Sequence, residues 1–277
     1  FFQAEDGIRD RSPSRGLGYV YKRQANGMTN HNIDEDRLAE LVQRCNKEVD
    51  EGLLQSCQLA IGFRGEIVVD HTIGDAEPAT RYCFFSATKP FIAATVWQLL
   101  DEGLLDLDMA VASLIPAFGS NGKEAITLSE VLLHTSGFPH APMGPNVWST
   151  SESRRSRMAE WQLNWEPGTR YEYHPTSAHW VLAELITEVT GRPYADEVHR
   201  RVTSPLGIPR VLGLSLDNQE SMAELALCEG EASPDELESV FGVREMPPSE
   251  VNDETILRFN DPVSYTHLRA HETDSYL

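Results

Sequence analysis

The stretch Tyr82-Cys83-Phe84-Phe85-Ser86-Ala87-Thr88-Lys89-Pro90, followed at once by the apolar run FIAATVWQLLDEGL at 91–104, sets the fold of this chain. Pro90 has no N–H and is tolerated in a helix only within the first turn, where the amides lack an intrahelical partner. A helix that is apolar at helical spacing over 91–104 and closes at Gly103 must therefore begin close to Ser86. Ser86 then stands at the positive end of the helix dipole, and Lys89 lies one turn on along the same face. A serine hydroxyl becomes a nucleophile when a neighbour takes its proton, and a lysine desolvated by Phe84, Phe85 and Phe91 can be that neighbour. Alone, the S-x-x-K tetrapeptide suits an N-cap serine beside a surface lysine at least as well.

Upstream, Leu38, Leu41, Val42, Cys45 and Val49 repeat at helical spacing behind Asp34-Glu35-Asp36, which predicts an amphipathic helix ending near Gly52. The runs at 58–63 and 66–73, apolar and β-branched on either side of Arg64-Gly65, predict a hairpin with strands at 59–63 and 67–69. Downstream, helices are predicted at 126–133 and 177–190, the second stopped by Gly191 with Pro193 just beyond. Gly-, Pro- and Ser-rich loops fill 118–122 and 137–150. Residues 229–254 are acidic and broken by Pro234, Pro247 and Pro248, with short helical patterning over 234–241. No convincing strand follows the hairpin. Two strands are marginal alone, so the sheet reads as unfinished.

With 277 residues and 40% apolar content the chain can bury a substantial core, which excludes wholesale disorder. The 23 Lys and Arg against 43 Asp and Glu give a net charge of −20, the wrong sign for a nucleic-acid partner. No apolar run approaches the roughly 20 residues of a membrane span. Cys45, Cys57, Cys83 and Cys228 show no C-x-x-C spacing and the histidines show no H-E-x-x-H, so no metal is expected. Neither a G-x-G-x-x-G nor a P-loop occurs, and no cofactor is expected. The absence of a continuous apolar leader points to a cytoplasmic protein.

Three segments occur in one order: Ser86-Ala87-Thr88-Lys89-Pro90, then Leu132-Leu133-His134-Thr135-Ser136-Gly137-Phe138, then Trp165-Glu166-Pro167-Gly168-Thr169-Arg170-Tyr171-Glu172-Tyr173. In that order they resemble the serine β-lactamase and penicillin-binding-protein superfamily, in its class C-like branch of D-alanyl-D-alanine carboxypeptidases and esterases. The resemblance implies an α/β (α+β) fold, a sheet domain with an all-helical insertion, whose C-terminal sheet strands are missing here. It also implies a serine hydrolase acting on a small-molecule ester, amide or lactam. Ser86 would be the acylated nucleophile, Lys89 its base or base partner, and Tyr173 the proton-shuttling tyrosine of a Y-x-N motif, with Tyr171 the competing assignment. Leu133-His134-Thr135-Ser136-Gly137 is read as a structural turn rather than a catalytic Ser/His pair.

Two departures qualify this. In Tyr173-His174-Pro175, proline stands where the family has asparagine, which removes a side-chain amide and weakens lactam binding more than ester hydrolysis. His174 is a candidate substrate-binding substitute, as is His179. The third family motif, K-T-G or an H-x-G or W-x-G variant, does not occur between Gly191 and Pro262, and with it goes one of two oxyanion donors. Such a loss costs on the order of 10²–10³ in rate, so the chain is expected to turn over poorly. The alternative is a non-catalytic penicillin-binding-like relative. The expected organisation is a non-native segment at 1–24, the first part of the α/β domain at 25–92, a mainly helical domain at 93–228, an acidic connection at 229–262 and a tail at 263–277. Both end segments resemble translated sequencing-adapter sequence.

Overall fold

A computed structural model describes residues 33–83, 85–144, 147–226 and 233–245, together with Leu257 and Asn260. The expected end segments, and nearly all of the acidic connection beyond 245, lie outside the described residues. The chain forms two compact units that part between Thr80 and Arg81. Residues 81–226 lie together in the second unit.

In the first unit, Asp34 caps helix α1 (Glu35–Asp50) by accepting the Arg37 N–H at 3.1 Å. Its Val42 is buried, as are Val69 and Ile73 of the hairpin beside it. The hairpin pairs β1 (Ser56–Phe63) antiparallel with β2 (Glu66–Gly74), from Ser56 opposite Gly74 to Phe63 opposite Glu66, with one irregularity at Ile61/Gly62. Arg64 and Gly65 both take positive φ, 52° and 86°, the left-handed pair that matches strand twist in a two-residue turn. Both strands run longer than the sequence predicted, because the polar ends still pair through their backbones. The Gln58 amide then ties down the following chain by donating to the carbonyls of Glu77 and Thr80 at 3.0 and 3.1 Å. Among the described residues the sheet has these two strands.

The second unit is built round α2 (Lys89–Asp101), whose Ile92, Val96 and Leu99 are fully buried, and α5 (Ser177–Thr190), buried on every side from Ser177 to Ile186. A helix without a polar face belongs in a core, and these two pack on each other. Between them lie the short α3 (Leu128–Leu132), started by a capping box of Thr127 and Glu130, and α4 (Ser151–Glu160). After Gly191, at φ 66°, come α6 (Tyr194–Val198), a wider turn over His199–Thr203 and α7 (Pro234–Phe241). No described helix is long and apolar enough to cross a membrane.

The sequence pattern gave no sign of α4. Its inward face holds one apolar residue, Met158, and a buried arginine, Arg154. Arg154 Nε donates to Glu184 Oε1 at 2.6 Å, and its guanidinium also meets the Trp148 carbonyl. Arg155 Nε reaches Glu184 Oε2 at 2.8 Å. Glu184, itself fully buried on α5, is thus the post to which α4 is tied. Removing one member of a buried pair strands the other charge, so Glu184→Ala is expected to lower unfolding free energy by about 3–5 kcal/mol in urea titrations. A loss below about 1 kcal/mol would contradict this role.

Candidate active site

Residues Phe85–Thr88 make a single 3-10 turn that runs directly into α2. Phe85 takes φ 45°, a left-handed conformation costly for an aromatic residue, and turns the chain so that the next side chain, Ser86, is exposed. Lys89 is the first residue of α2 and only 9% exposed. Helical side chains lean toward the N-terminus, and the Lys89 ammonium accordingly reaches back one turn to donate to Ser86 Oγ at 3.0 Å. Its aliphatic stem borders a cavity of about 350 Å³ walled by Ala93, Trp97, Leu132, His134 and Leu182.

Tyr173 makes a second contact with this serine. Its hydroxyl donates to the same Ser86 Oγ at 3.0 Å, and Lys89 Nζ stands 5.3 Å from the centre of its ring. Tyr171, the competing residue, is 68% exposed and lies edge-on to His134 at 6.5 Å. The structure thus brings Ser86, Lys89 and Tyr173 to one point. An ammonium has no lone pair to accept a proton, so only a deprotonated neighbour in this arrangement can take a proton from the serine hydroxyl.

The segment carrying Tyr173 is held by the turn after α3. Asn164 N–H donates to the Gly137 carbonyl at 2.7 Å, Gly168 N–H to that of Thr135 at 2.9 Å, and Glu172 N–H to that of His134 at 3.2 Å. Gly137 sits at φ 85° with the Trp165 carbonyl 2.5 Å from where a Cβ would stand, so no side chain fits between the two segments. The His134-Thr135-Ser136-Gly137 turn is therefore the cradle of the tyrosine segment.

His174 corrects an expectation. It is fully buried, not turned toward a substrate. Nε2 accepts the Phe138 N–H at 3.1 Å and lies 3.2 Å from Ser136 Oγ, while Nδ1 is 2.7 Å from the Glu172 carbonyl. A carbonyl can only accept and an amide only donate, which puts the ring proton on Nδ1 and leaves no nitrogen for a ligand. His179 is buried as well and borders the cavity beside Lys89. Burial depresses all three imidazoles: His174 to about 4, His179 well below its ordinary value, and His134 below it too, the last two helped by the charge of Lys89. Among the described residues no cluster of His, Cys, Asp and Glu could hold a metal.

Residues 38–212 match the family model described as Beta-lactamase. Esterase/beta-lactamase LipL of Mycobacterium tuberculosis is 29% identical over 161 residues, 53% of this chain and 36% of that protein. A penicillin-binding protein homolog from Caulobacter crescentus superposes with a TM-score of 0.65 at 24% identity, covering 87% of this chain and 67% of the other. A family VIII carboxylesterase gives 0.65 at 21% identity, covering 84% and 64%. At these identities the two superpositions show the fold, which is that of the β-lactamases and penicillin-binding proteins. The chain spans little more than a third of the length of the curated relatives it matches.

The histidine shifts make a pH prediction. A folded-state pKa near 4 against 6.5 means that the unfolded chain takes up the His174 proton first as pH falls. The stability this ring contributes is complete above about pH 6.5 and is lost progressively down to about pH 4, roughly 3 kcal/mol in all. Tm should fall across that window, and less steeply in His174→Asn. A Tm independent of pH between 7 and 4 would contradict the buried neutral ring.

Proposed function

Since this chain belongs to the beta-lactamase family, we propose that it carries the acylation centre of a serine hydrolase, with Ser86 as nucleophile, Lys89 and Tyr173 as its proton-handling pair, and a small-molecule ester, amide or lactam as substrate. The observation that supports this best is the convergence of Lys89 Nζ and Tyr173 OH on Ser86 Oγ, each at 3.0 Å.

In this reading Ser86 Oγ attacks the substrate carbonyl carbon as its proton passes to the Lys89/Tyr173 pair. The Ser86 N–H, in the 3-10 turn that leads into α2, is the oxyanion donor in this reading. Collapse breaks the bond to the leaving group, which takes the proton back from Tyr173, and leaves an acyl-Ser86 ester. Water repeats the sequence, giving its proton to the pair, releasing the acid and restoring the serine. Esters are the favoured class. Pro175 supplies no side-chain amide to grip the substrate amide of a peptide or lactam, and an ester needs less help in expelling its alcohol.

Pro175 also favours a second reading, a penicillin-binding-like binding or regulatory relative that keeps the fold and has lost turnover. One assay separates the two. With p-nitrophenyl acetate, the hydrolase reading expects a nitrophenol burst followed by slow turnover, the burst absent in Ser86→Ala and slowed about 10²–10⁴-fold in Lys89→Ala and Tyr173→Phe. No burst at all, or a stoichiometric burst without turnover, supports the binding protein. A burst that survives Ser86→Ala rejects both.

A further inference from the structure

Resting on the hydrolase reading above, we propose that His134 is a positioning residue for Tyr173, holding the phenol on Ser86 by binding the peptide groups on both sides of the tyrosine. The His134 carbonyl accepts the N–H of Glu172 at 3.2 Å, and its ring Nδ1 accepts the N–H of His174 at 3.1 Å. The ring itself lies 5.0 Å from that of Tyr173. One residue thus fixes the backbone immediately before and immediately after the tyrosine.

Two features of this chain give that bracket its weight. Pro175 has no N–H, so the His174 amide is the last donor after Tyr173 until Thr176. The bracket also requires φ 57° at His134, a left-handed backbone in which Asn, Asp and His are enriched among residues with a Cβ and that Gly adopts without strain. In this conformation the imidazole is aimed at a main-chain donor, a bond that a turn residue without a side-chain acceptor could not make. The acceptor works only while Nδ1 is bare. Burial and the nearby Lys89 charge both keep the ring neutral, and the other titratable rings packed against it are Tyr171, Tyr173, His174 and His179.

Three proteins separate the backbone requirement from the acceptor. His134→Gly keeps the left-handed turn and loses the acceptor. H134N keeps the turn and offers Oδ1 close to the position of Nδ1. The wild-type chain is the reference. Two readouts are taken: hydrogen exchange of the His174 amide by NMR, and kcat and KM for p-nitrophenyl acetate. In H134G, His174 exchange should rise roughly tenfold, the loss of one hydrogen bond. Its kcat should fall about 10- to 100-fold with KM within about threefold, as for a displaced catalytic group. H134N should recover most of both. His174 exchange unchanged in H134G, or H134N as impaired in kcat as H134G, overturns the proposal. If the wild type shows no acylation while H134G still loses His174 protection, the bracket stands and the hydrolase reading falls.

Discussion

Pro90 is the constraint from which the site follows. Lacking an N–H, it must lie in the first turn of α2, and it is the second residue of a helix that starts at Lys89. Residues Phe85–Thr88 are left to a tighter 3-10 turn entered through the strained Phe85. The lysine at the head of the helix can only point back over that turn, where Ser86 waits. A serine and a lysine three residues apart are common. Here the proline sets the register in which they meet, and the buried packing of α2 on α5 keeps it from drifting.

The second arm of the site depends on backbone rather than side chains. Tyr173 lies in an irregular segment with no helix or strand to aim it. Its placement comes from main-chain bonds to the His134–Gly137 turn, where two left-handed residues expose carbonyls toward the tyrosine segment. The buried His174 closes the same junction from inside, joining Glu172 to Phe138. The three segments that mark the family in the sequence thus carry the serine–lysine pair, the cradle and the tyrosine. The cradle does its work through peptide groups, so its residue types advertise a turn and conceal what the turn holds.

This explains what was legible in the sequence. Helices α1, α2 and α5 and the hairpin announced themselves by apolar period, caps and glycines, and the fold by three motifs in order. Helix α4 was invisible because its buried face is Arg154 answered by Glu184, a pairing between distant segments that no local pattern encodes. His174 misled because it follows the tyrosine directly. Next to the partly exposed Tyr173, His174 is wholly buried, and sequence adjacency does not reveal that difference. The part played by His134 could not be read at all. It rests on a positive φ and on an acceptor bond to a residue far along the chain.

The account stands or falls on Ser86 Oγ being the activated nucleophile, because Lys89 and Tyr173 converge on it. Reaction of the purified chain with a fluorophosphonate, followed by peptide mass mapping, tests this most directly. A single adduct on Ser86, formed by the folded protein and lost on unfolding in urea, is the predicted result. An adduct on another serine, or labelling of Ser86 no faster in the folded chain than in the unfolded one, would contradict it.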